Sequence, residues 1–314
     1  MTGDRSLFGK GEEAESLTGA RLEHSGFVGV IGRPNVGKST FLNTLAQKKL
    51  AIVSHRPQTT RHTIRAVISS PGAQMVVVDT PGLHKPKDGL GERLNAKVRR
   101  TMTDVDVVIF MLDGFAGIGG GDEFIARELG RNRTPLVVSL NKTDLMVPER
   151  LAEQERAARS LVPEAEVFAV SALTGEGVDR LTQALVERLP PGPKYYPDDV
   201  LTDQPEVVLI GELIREKLIE ATREELPYAV AVEVTEFSKR RGRDLHDVHV
   251  RIHVERESQK AIVIGSGGSV LEKVGRQARE EIEGLLGSPV YLDLLVRVTK
   301  DWRRRERKVE ELGY

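Results

Sequence analysis

An eight-residue stretch bounded by glycine and serine constrains the fold of this chain more than any other feature. It reads Gly-Arg-Pro-Asn-Val-Gly-Lys-Ser over residues 32–39 and fits the pattern G-x-x-x-x-G-K-[ST]. The apolar residues 27–31 predict a buried strand before it, and residues 40–45 begin an amphipathic helix after it. A strand, a glycine loop and a helix in this order let backbone N–H groups surround a polyphosphate. The predicted phosphate contacts are Gly32, Arg33, Pro34, Asn35, Val36, Gly37, Lys38, Ser39 and Thr40.

Two side chains of this loop are expected to act on the phosphates directly. Lys38 would reach the β- and γ-phosphates, and Ser39 would supply a hydroxyl ligand to Mg²⁺. A glycine-rich turn could match the pattern by chance. The strand before the loop and the helix after it favour a nucleotide site.

Apolar runs alternate with amphipathic segments through the first half of the chain. The runs at 75–78, 107–112, 136–140 and 167–170 join 27–31 as buried strands, and 64–68 adds an edge strand. Their near-continuous apolar character predicts a mainly parallel sheet covered on both faces. This is a doubly wound α/β domain, whose ligands lie at the carboxyl ends of the strands.

Composition divides the chain into four parts. Residues 1–24 are polar and lack the basic start and apolar stretch of a signal peptide, so we expect a disordered tail. The α/β domain covers 25–189, and the proline-rich residues 190–200 form a semi-rigid linker. Residues 201–314 form a small α+β domain. Its predicted elements are a helix at 209–226, strands at 229–234, 248–254 and 261–264, a helix at 268–286, a strand at 290–298 and a basic tail helix after Asp301.

Bulk properties exclude several kinds of protein. The chain has 314 residues, a net charge of −1 and no cysteine. It therefore has no disulfide framework, thiol catalysis or cysteine-based zinc site, which suits a reducing cytosol. No apolar run approaches the length of a membrane-spanning helix. Because the net charge is near zero, any surface for nucleic acid must be local.

A second motif follows the run that ends at Leu140 and points to guanine. It reads Asn141-Lys142-Thr143-Asp144. A buried Asp144 carboxylate could accept hydrogen bonds from N1–H and the N2 amino group of guanine, which adenine cannot donate. Lys142 would lay its stem over the base, and a later loop would meet guanine O6 with a backbone N–H. The predicted base contacts are Asn141, Lys142, Thr143, Asp144, Ser171, Ala172 and Leu173, and the predicted ligands are GTP and GDP.

A third motif, Asp79-Thr80-Pro81-Gly82, follows the run at 75–78. Asp79 could hold Mg²⁺ through water, and Gly82 could offer its N–H to the γ-phosphate. These four residues could also be an ordinary turn, but the buried strand and the upstream loop favour the site. In the polar segment 57–61, Thr60 is the preferred further magnesium ligand and Thr59 is its rival. The predicted metal ligands are Ser39, Thr60 and Asp79.

The motifs of the two halves together resemble one family. Residues 264–268, Ile-Gly-Ser-Gly-Gly, are predicted to join a strand to a helix and match the G-x-x-G loop of a KH domain. With Gln58-Thr59-Thr60-Arg61 and Asp301-Trp302-Arg303, residues 26–314 resemble the Era-like GTPases. The fold class implied is an α/β P-loop GTPase domain followed by a small α+β type II KH domain.

The resemblance implies a function and a location. Era-like proteins bind the 3′ end of 16S ribosomal RNA and assist assembly of the small ribosomal subunit. We therefore expect a monomeric, cytoplasmic protein, in peripheral contact at most with the inner face of the cell membrane, and no DNA partner.

The predicted RNA contacts depart from the family pattern in one respect. Many Era-like loops carry a basic residue within G-x-x-G, where this chain has Ser266 and Gly267. The basic runs at 239–243 and 303–308 could compensate, or could simply be solvated surfaces. Trp302 could stack on a base or anchor the tail helix, and the glycine loop could be no more than a tight turn. The predicted contacts are Ile264, Gly265, Ser266, Gly267, Gly268, Lys273, Arg303 and Arg304.

Hydrolysis is expected to be slow. Leu83 stands where Ras-like enzymes place the glutamine that orients the attacking water, and an apolar side chain cannot do so. We interpret His84 as a solvent-exposed loop residue. The γ-phosphate and switch roles fall to Lys38, Thr60 and Gly82. Related GTPases hold a potassium ion with a P-loop asparagine, which here would be Asn35.

Three functions remain open at this point. The first is a GTPase switch that controls RNA binding. The second is an RNA-binding assembly factor that uses GTP only as a structural ligand, with negligible turnover. The third is a GTPase whose second domain binds a protein or a membrane surface.

Overall fold

The computed structural model describes residues 24–54, 56, 59–84, 86, 88–222 and 226–314. The predicted N-terminal tail lies outside the described residues except for His24, which begins the first strand. Pro57 and Gln58, from the segment at 57–61, lie outside them as well.

The first domain is a six-stranded sheet with helices on both faces. Its strands lie in the order β2-β3-β1-β4-β5-β6, and all pairs are parallel except β2 with β3. The doubly wound fold and the edge strand are therefore confirmed, and the edge strand β2 is antiparallel to β3. The strands are β1 (His24–Ile31), β2 (Ile64–Ser70), β3 (Ala73–Asp79), β4 (Val107–Asp113), β5 (Leu136–Asn141) and β6 (Glu166–Ala169). The helices are α1 (Lys38–Ala46), α2 (Gly89–Asp104), α3 (Gly120–Leu129), α4 (Pro148–Leu161) and α5 (Val178–Val186).

Two apolar clusters cover the two faces of this sheet. Val28 and Val30 of β1 pack on one side and Ile31 on the other, because successive side chains of a strand point to opposite faces. β3 and β4 are buried along their whole lengths, as a central parallel strand should be. The loops after β1, β3 and β5 therefore meet at the carboxyl edge of the sheet.

The second domain is a three-stranded sheet packed against two long helices. It contains α6 (Glu206–Ala221), α7 (Leu226–Ala229), β7 (Ala231–Lys239), β8 (His246–Val254), α8 (Glu257–Ile264), α9 (Ser269–Leu286), β9 (Val290–Val298) and α10 (Glu306–Glu311). β8 lies between β7, which is antiparallel to it, and β9, which is parallel. The core lies between one face of this sheet and helices α6 and α9.

One predicted strand of this domain is wrong. Residues 261–264 form the last turn of helix α8, not a strand. A four-residue apolar run does not distinguish a strand from a helix end. The Gln259 side chain accepts hydrogen bonds from the N–H groups of Glu255 and Arg256, which caps a helix that begins at Glu257. The glycine loop at 265–268 consequently joins two helices.

The proline-rich linker packs against the first domain. The carbonyl of Pro190 accepts a hydrogen bond from Ser25, and the Gln74 side chain accepts from the N–H groups of Tyr195 and Tyr196. The ring of Tyr195 lies 5.1 Å from that of Phe27. These contacts fix where α6 begins relative to the first sheet.

Among the helices of the described residues, none combines the length and the apolar composition needed to cross a membrane.

Candidate functional site

A tight loop joins β1 to α1 and has the backbone conformation that its glycines predict. Asn35 and Gly37 have left-handed φ values of 64° and 104°. A Cβ atom on Gly32 would lie 2.4 Å from the carbonyl oxygen of Met111. Glycine is thus required at position 32 for close backbone approach and favoured at 37 for its dihedral angles.

The amine of Lys38 lies inside this loop. Its side chain is 5% exposed and donates hydrogen bonds to the carbonyl oxygens of Gly32, at 3.2 Å, and Arg33, at 2.8 Å. Burial lowers the pKa of Lys38 to about 8, while Asp79 acts in the opposite direction. A cation that the loop's own carbonyl oxygens hold in place is suited to contact phosphate oxygens.

Ser39, Thr60 and Asp79 come together beside the loop. The Ser39 hydroxyl donates to Asp79 Oδ2 at 2.7 Å and lies 2.9 Å from Thr60 Oγ1. Thr60 Oγ1 is 3.4 Å from the same carboxylate oxygen. The rival, Thr59, donates its hydroxyl to the carbonyl oxygen of Arg56 at 2.6 Å. The structure thus places Thr60 at the cluster and turns the Thr59 hydroxyl elsewhere.

This cluster fits a magnesium ion. Asp79 is fully buried, and among the described residues its Oδ1 atom accepts no hydrogen bond. Burial raises the pKa of Asp79 to about 6, although Lys38 and the two hydroxyl groups lower it. Hydroxyl and carboxylate oxygens are the ligands that Mg²⁺ prefers. Ser39 and Thr60 would hold the ion directly and Asp79 through water, and the ion would supply charge that neutralises the phosphates.

The segment after β3 lies against the phosphate loop. A Cβ atom on Gly82 would be 2.5 Å from the backbone nitrogen of Pro34, and the N–H of Leu83 donates to the Gly32 carbonyl oxygen at 3.2 Å. The Thr80 hydroxyl donates to the carbonyl oxygen of Val30 at 2.7 Å, and Pro81 is buried. These contacts hold the segment where its backbone can face a phosphate group.

The side chain of Leu83 belongs to the core. It is 2% exposed and lies in the apolar cluster that contains Val98 and Met102 of α2. His84 is half-buried, not solvent-exposed as predicted, and Asn95 donates a hydrogen bond to its carbonyl oxygen at 2.6 Å. Packing therefore explains the apolar residue at position 83.

Asn141 connects the phosphate loop to the base loops. Its Nδ2 atom donates to the carbonyl oxygen of Val36 at 2.7 Å, and its Oδ1 atom accepts from the N–H of Ala172 at 2.8 Å. The Ala172 N–H is therefore engaged, so a backbone contact with guanine O6 would fall to the next residue, Leu173. Leu173 is 75% exposed.

The other base-reading residues are held by side-chain contacts. Lys142 has a left-handed φ of 69°, and its amine donates to Asp113 Oδ2 at 2.6 Å. Thr143 begins a one-turn helix that also contains Asp144. The Ser171 hydroxyl donates to Asp144 Oδ1 at 2.6 Å. Asp144 is exposed, whereas a buried carboxylate was predicted. To discriminate guanine from adenine, the bound base would itself have to shield this carboxylate from water.

The glycine loop of the second domain presents its backbone at the start of the 18-residue helix α9. Gly265, Gly267 and Gly268 have φ values of 77°, 59° and 87°, so three of its four residues need left-handed conformations. Ser266 and Gly267 are exposed, and Ile264 is half-buried. Lys273 lies exposed one turn further along α9. The sequence did not single out Ile262, which is 54% exposed beside this loop.

The tail is held in place mainly by contacts within the protein. Trp302 is fully buried and donates from Nε1 to the carbonyl oxygen of Ala229 at 2.8 Å, which makes it an anchor. Arg303 bonds to Glu255 at 2.7 Å and to Asp88 at 3.4 Å, so its predicted RNA contact lacks structural support. Arg304 is exposed.

The two basic runs lie in different surroundings. In the first, Lys239 pairs with Asp244 at 2.8 Å and Arg240 pairs with Asp247. The second contributes Arg305 and Lys308 to a cavity of about 490 Å³. Three further cations line this cavity, Arg251, Arg297 and Lys300, together with His253 and Glu257. The sequence did not predict this cluster because its residues come from separate elements.

Comparison with known proteins agrees with both halves of this description. Residues 27–142 match the family described as 50S ribosome-binding GTPase, and residues 225–303 match the KH domain. GTPase Era from Mycolicibacterium smegmatis is 49% identical over 294 residues, covering 92% of this chain and 98% of that protein. GTPase Era from Mycobacterium tuberculosis is 50% identical over 296 residues, covering 93% and 99%.

Two solved structures resemble the whole molecule. One is an Aquifex aeolicus Era variant bound to GDP·AlF4⁻, and the other is Era in complex with MgGDPNP and nucleotides 1506–1542 of 16S ribosomal RNA. Each superimposes with a TM-score of 0.90 at 36% identity and covers 93% of this chain and 99% of its own. With this identity and coverage, the chain belongs to the Era family of GTPases.

Proposed function

We propose that this protein is a GTP-hydrolysing switch that binds the single-stranded 3′ end of 16S ribosomal RNA and assists assembly of the small ribosomal subunit. The observation that carries the proposal is the meeting of Ser39, Thr60 and Asp79 beside the Lys38 loop. A hydroxyl from a loop outside the phosphate-binding motif gives the site a part that can respond to the γ-phosphate.

GTP and Mg²⁺ are assigned to this site by the chemistry of its atoms. Lys38 and the backbone of residues 32–40 would bind the phosphates, Gly82 would offer its N–H to the γ-phosphate, and Asp144 would read guanine. Ser39, Thr60 and Asp79 would hold the metal. The Oδ1 atom of Asp79 supports this assignment, because no donor among the described residues bonds to it and a buried carboxylate oxygen without a donor is costly.

RNA is assigned to the second domain. The left-handed glycine loop, with Ile264 before it, would clamp the RNA backbone, and exposed Lys273 and Arg304 would contact phosphates. The cation-lined cavity beside α10 supports a nucleic-acid partner and replaces part of what Arg303 was predicted to do. A relative solved with nucleotides 1506–1542 of 16S ribosomal RNA supports the choice of target.

The resemblance also underlies a proposed location and state. We place the protein in the cytoplasm as a monomer, with any contact with the inner face of the cell membrane being peripheral, and without a DNA partner.

Intrinsic turnover should be slow, because Leu83 is a core residue and offers no group to orient water. The same observation favours the second candidate, an assembly factor that uses GTP as a structural ligand with negligible turnover. Asn35, exposed on the loop, is the proposed holder of a potassium ion that would raise the rate. Equal turnover in sodium and potassium would remove this part of the proposal.

Single-turnover hydrolysis with and without a 3′-end fragment of 16S ribosomal RNA separates the two candidates. Phosphate release that follows RNA occupancy supports the switch, and no release in either case supports the structural ligand. Crosslinking of the GTP-loaded protein to ribosomal RNA tests the target. A crosslink map away from the 3′ end of the small-subunit RNA would contradict it.

A further inference from the structure

Residues on both sides of Thr60 contact the second domain. The carbonyl oxygen of Thr59 accepts a hydrogen bond from Arg215 Nη2, across 156 positions of the chain. His62 Nδ1 lies 3.0 Å from Glu212 Oε1. The predicted magnesium ligand therefore lies between two residues that helix α6 holds.

Arg61 is the most enclosed residue of this segment. It is 1% exposed and donates to the carbonyl oxygens of Val230, at 2.7 Å, and Tyr228, at 2.9 Å. The carbon of its guanidinium group is 5.7 Å from the ring centroid of Trp302 and 5.4 Å from that of Tyr314. An arginine fixed by two carbonyl groups and two aromatic rings has one available position.

Helix α6 presents a buried polar face to this segment. Every residue from 209 to 219 is buried, including Glu212, Arg215 and Glu216, which share one face by their spacing. Burial raises the pKa of Glu212, but Arg215 and His62 together hold it well below its usual range. Glu216 also accepts from the N–H of Val53 at 2.9 Å, and Lys49 pairs with it. The charged side chains on this face of α6 are therefore paired, and they bind residues 49, 53, 59 and 62 of the first domain.

We propose that Arg61 is a positioning residue for the magnesium site, and that α6 and the tail at 302–314 hold Thr60 there through it. This inference rests on the proposed GTP and Mg²⁺ site. The Thr60 hydroxyl needs a fixed backbone to reach the ion, and the contacts that fix it come from the RNA-binding half of the protein. The second domain is thus part of the GTP-bound form of the site.

The two nucleotides should differ in their need for this arrangement. A loop hydroxyl joins the magnesium shell when the γ-phosphate is present, and GDP binding does not use it. Loss of the Arg61 contacts should therefore weaken Mg²⁺ binding with a GTP analogue and leave Mg²⁺ binding with GDP unchanged. A general loss of stability would weaken both.

The test uses the full chain and compares Arg61→Ala and Tyr314→Ala with Leu312→Ala. Tyr314→Ala changes no residue of the first domain, so it provides a second test if the Arg61→Ala variant does not fold. Leu312 is a matched control, since it is buried in the same tail cluster, at 6% exposure, but has no ring to place against Arg61. The half-saturating Mg²⁺ concentration is measured for a non-hydrolysable GTP analogue and for GDP.

We expect Arg61→Ala and Tyr314→Ala to raise the half-saturating Mg²⁺ concentration with the GTP analogue by about 10- to 100-fold, as for other residues that orient metal ligands. The half-saturating Mg²⁺ concentration with GDP should not change. Leu312→Ala should lower the unfolding temperature without changing the ratio of the Mg²⁺ concentrations measured with the GTP analogue and with GDP. The inference is overturned if Arg61→Ala and Tyr314→Ala change both values alike or change neither. It is also overturned if Leu312→Ala reproduces their effect. If the unsubstituted protein binds neither nucleotide, the proposed function itself fails.

Discussion

The phosphate loop at 32–39 and the segment at 59–62 contribute to one site but acquire their shapes differently. The loop is shaped largely by its own residues, through left-handed Asn35 and Gly37 and a lysine that bonds to carbonyl oxygens five and six positions earlier. The segment takes its shape from atoms far along the chain, since Arg61 bonds to carbonyl groups 167 and 169 positions away.

This difference separates two kinds of function within the site. A loop fixed by local geometry binds phosphate in the same way whatever the second domain does. When another domain fixes a segment of the site, a change in that domain can alter nucleotide affinity. By thermodynamic linkage, nucleotide binding then alters the second domain by the same free energy. The four predictions below test this division, beginning with the largest expected effect.

Glu212→Ala should have the largest effect, a loss of about 3–5 kcal/mol in the free energy of unfolding, because it leaves Arg215 as a buried cation without its partner. Arg215 is 0% exposed and bonds to Glu212 at 2.9 and 2.5 Å. Denaturant titration without nucleotide measures the change.

The matched control is Glu166→Ala. Its pair with Arg188 has side chains 46% and 31% exposed, so about 1 kcal/mol or less is expected. Equal losses for the two variants would mean that the α6 face does not bind the segment as described.

Gly37→Ala should reduce nucleotide affinity by about a hundredfold or more, equivalent to about 2.7 kcal/mol. An added Cβ atom would lie 2.1 Å from Asn141 Nδ2, at a φ of 104°. This would displace the side chain that joins the phosphate loop to the base loops. Fluorescent GDP binding measures the loss.

Gly72→Ala serves as the control for backbone strain alone. Gly72 also has a positive φ, 79°, but an added Cβ atom would meet no atom of the described residues within 4 Å. We expect lower stability and normal affinity. A similar affinity loss in both variants would show that strain, and not the contact with Asn141, sets the affinity.

Thr60→Val should weaken Mg²⁺ binding with a GTP analogue by about tenfold or more, equivalent to about 1.4 kcal/mol, and should leave GDP binding unchanged. Thr59→Val removes a hydroxyl one position earlier that bonds to Arg56, so it should have little effect on either nucleotide. Mg²⁺ titration of nucleotide binding compares the two. A larger effect from Thr59→Val would reassign the ligand.

The smallest expected effect is a pH dependence confined to the second domain. His253 is 2% exposed, and burial lowers its pKa although Glu233 raises it. Because the unfolded chain takes up a proton first as pH falls below the ordinary value of 6.5, this residue stabilises the fold above that value. The stability is lost as pH falls towards the lowered pKa.

We expect His253→Gln to flatten the fall in unfolding free energy between about pH 7 and about pH 5.5. The comparison variant His249→Gln removes a histidine of the same strand whose side chain is 37% exposed. Nucleotide affinity should stay constant over this range in both variants. An equal change of slope would show that burial of His253 is not the cause.

The sequence predicted the parts of the molecule that depend on local spacing. The α/β fold, the edge strand and the positions of the three motif loops follow from patterns of fewer than ten residues, and the structure has them there. The prediction of a strand at 261–264 was wrong because a short apolar run fits the end of a helix equally well. Leu83 could be seen as unable to orient water, but not as a core residue.

Contacts between residues that are far apart in the sequence could not be predicted from it. Nothing near Arg61 shows that its side chain enters a cluster formed by Trp302 and Tyr314. Arg303 belonged to a basic run, yet its partners Asp88 and Glu255 lie in other elements. Likewise, the N–H of Ala172 is engaged by an asparagine 31 positions earlier. Such pairings become visible only once the two domains are in place.

The most direct test of the central claim, that the second domain positions Thr60, is a crystal structure of this protein with Mg²⁺ and a non-hydrolysable GTP analogue. The account predicts Thr60 Oγ1 at about 2.1 Å from the ion. It also predicts that Arg61 still bonds to the carbonyl groups of Tyr228 and Val230 between the rings of Trp302 and Tyr314. Thr60 bound to the ion with Arg61 outside this cluster would contradict it.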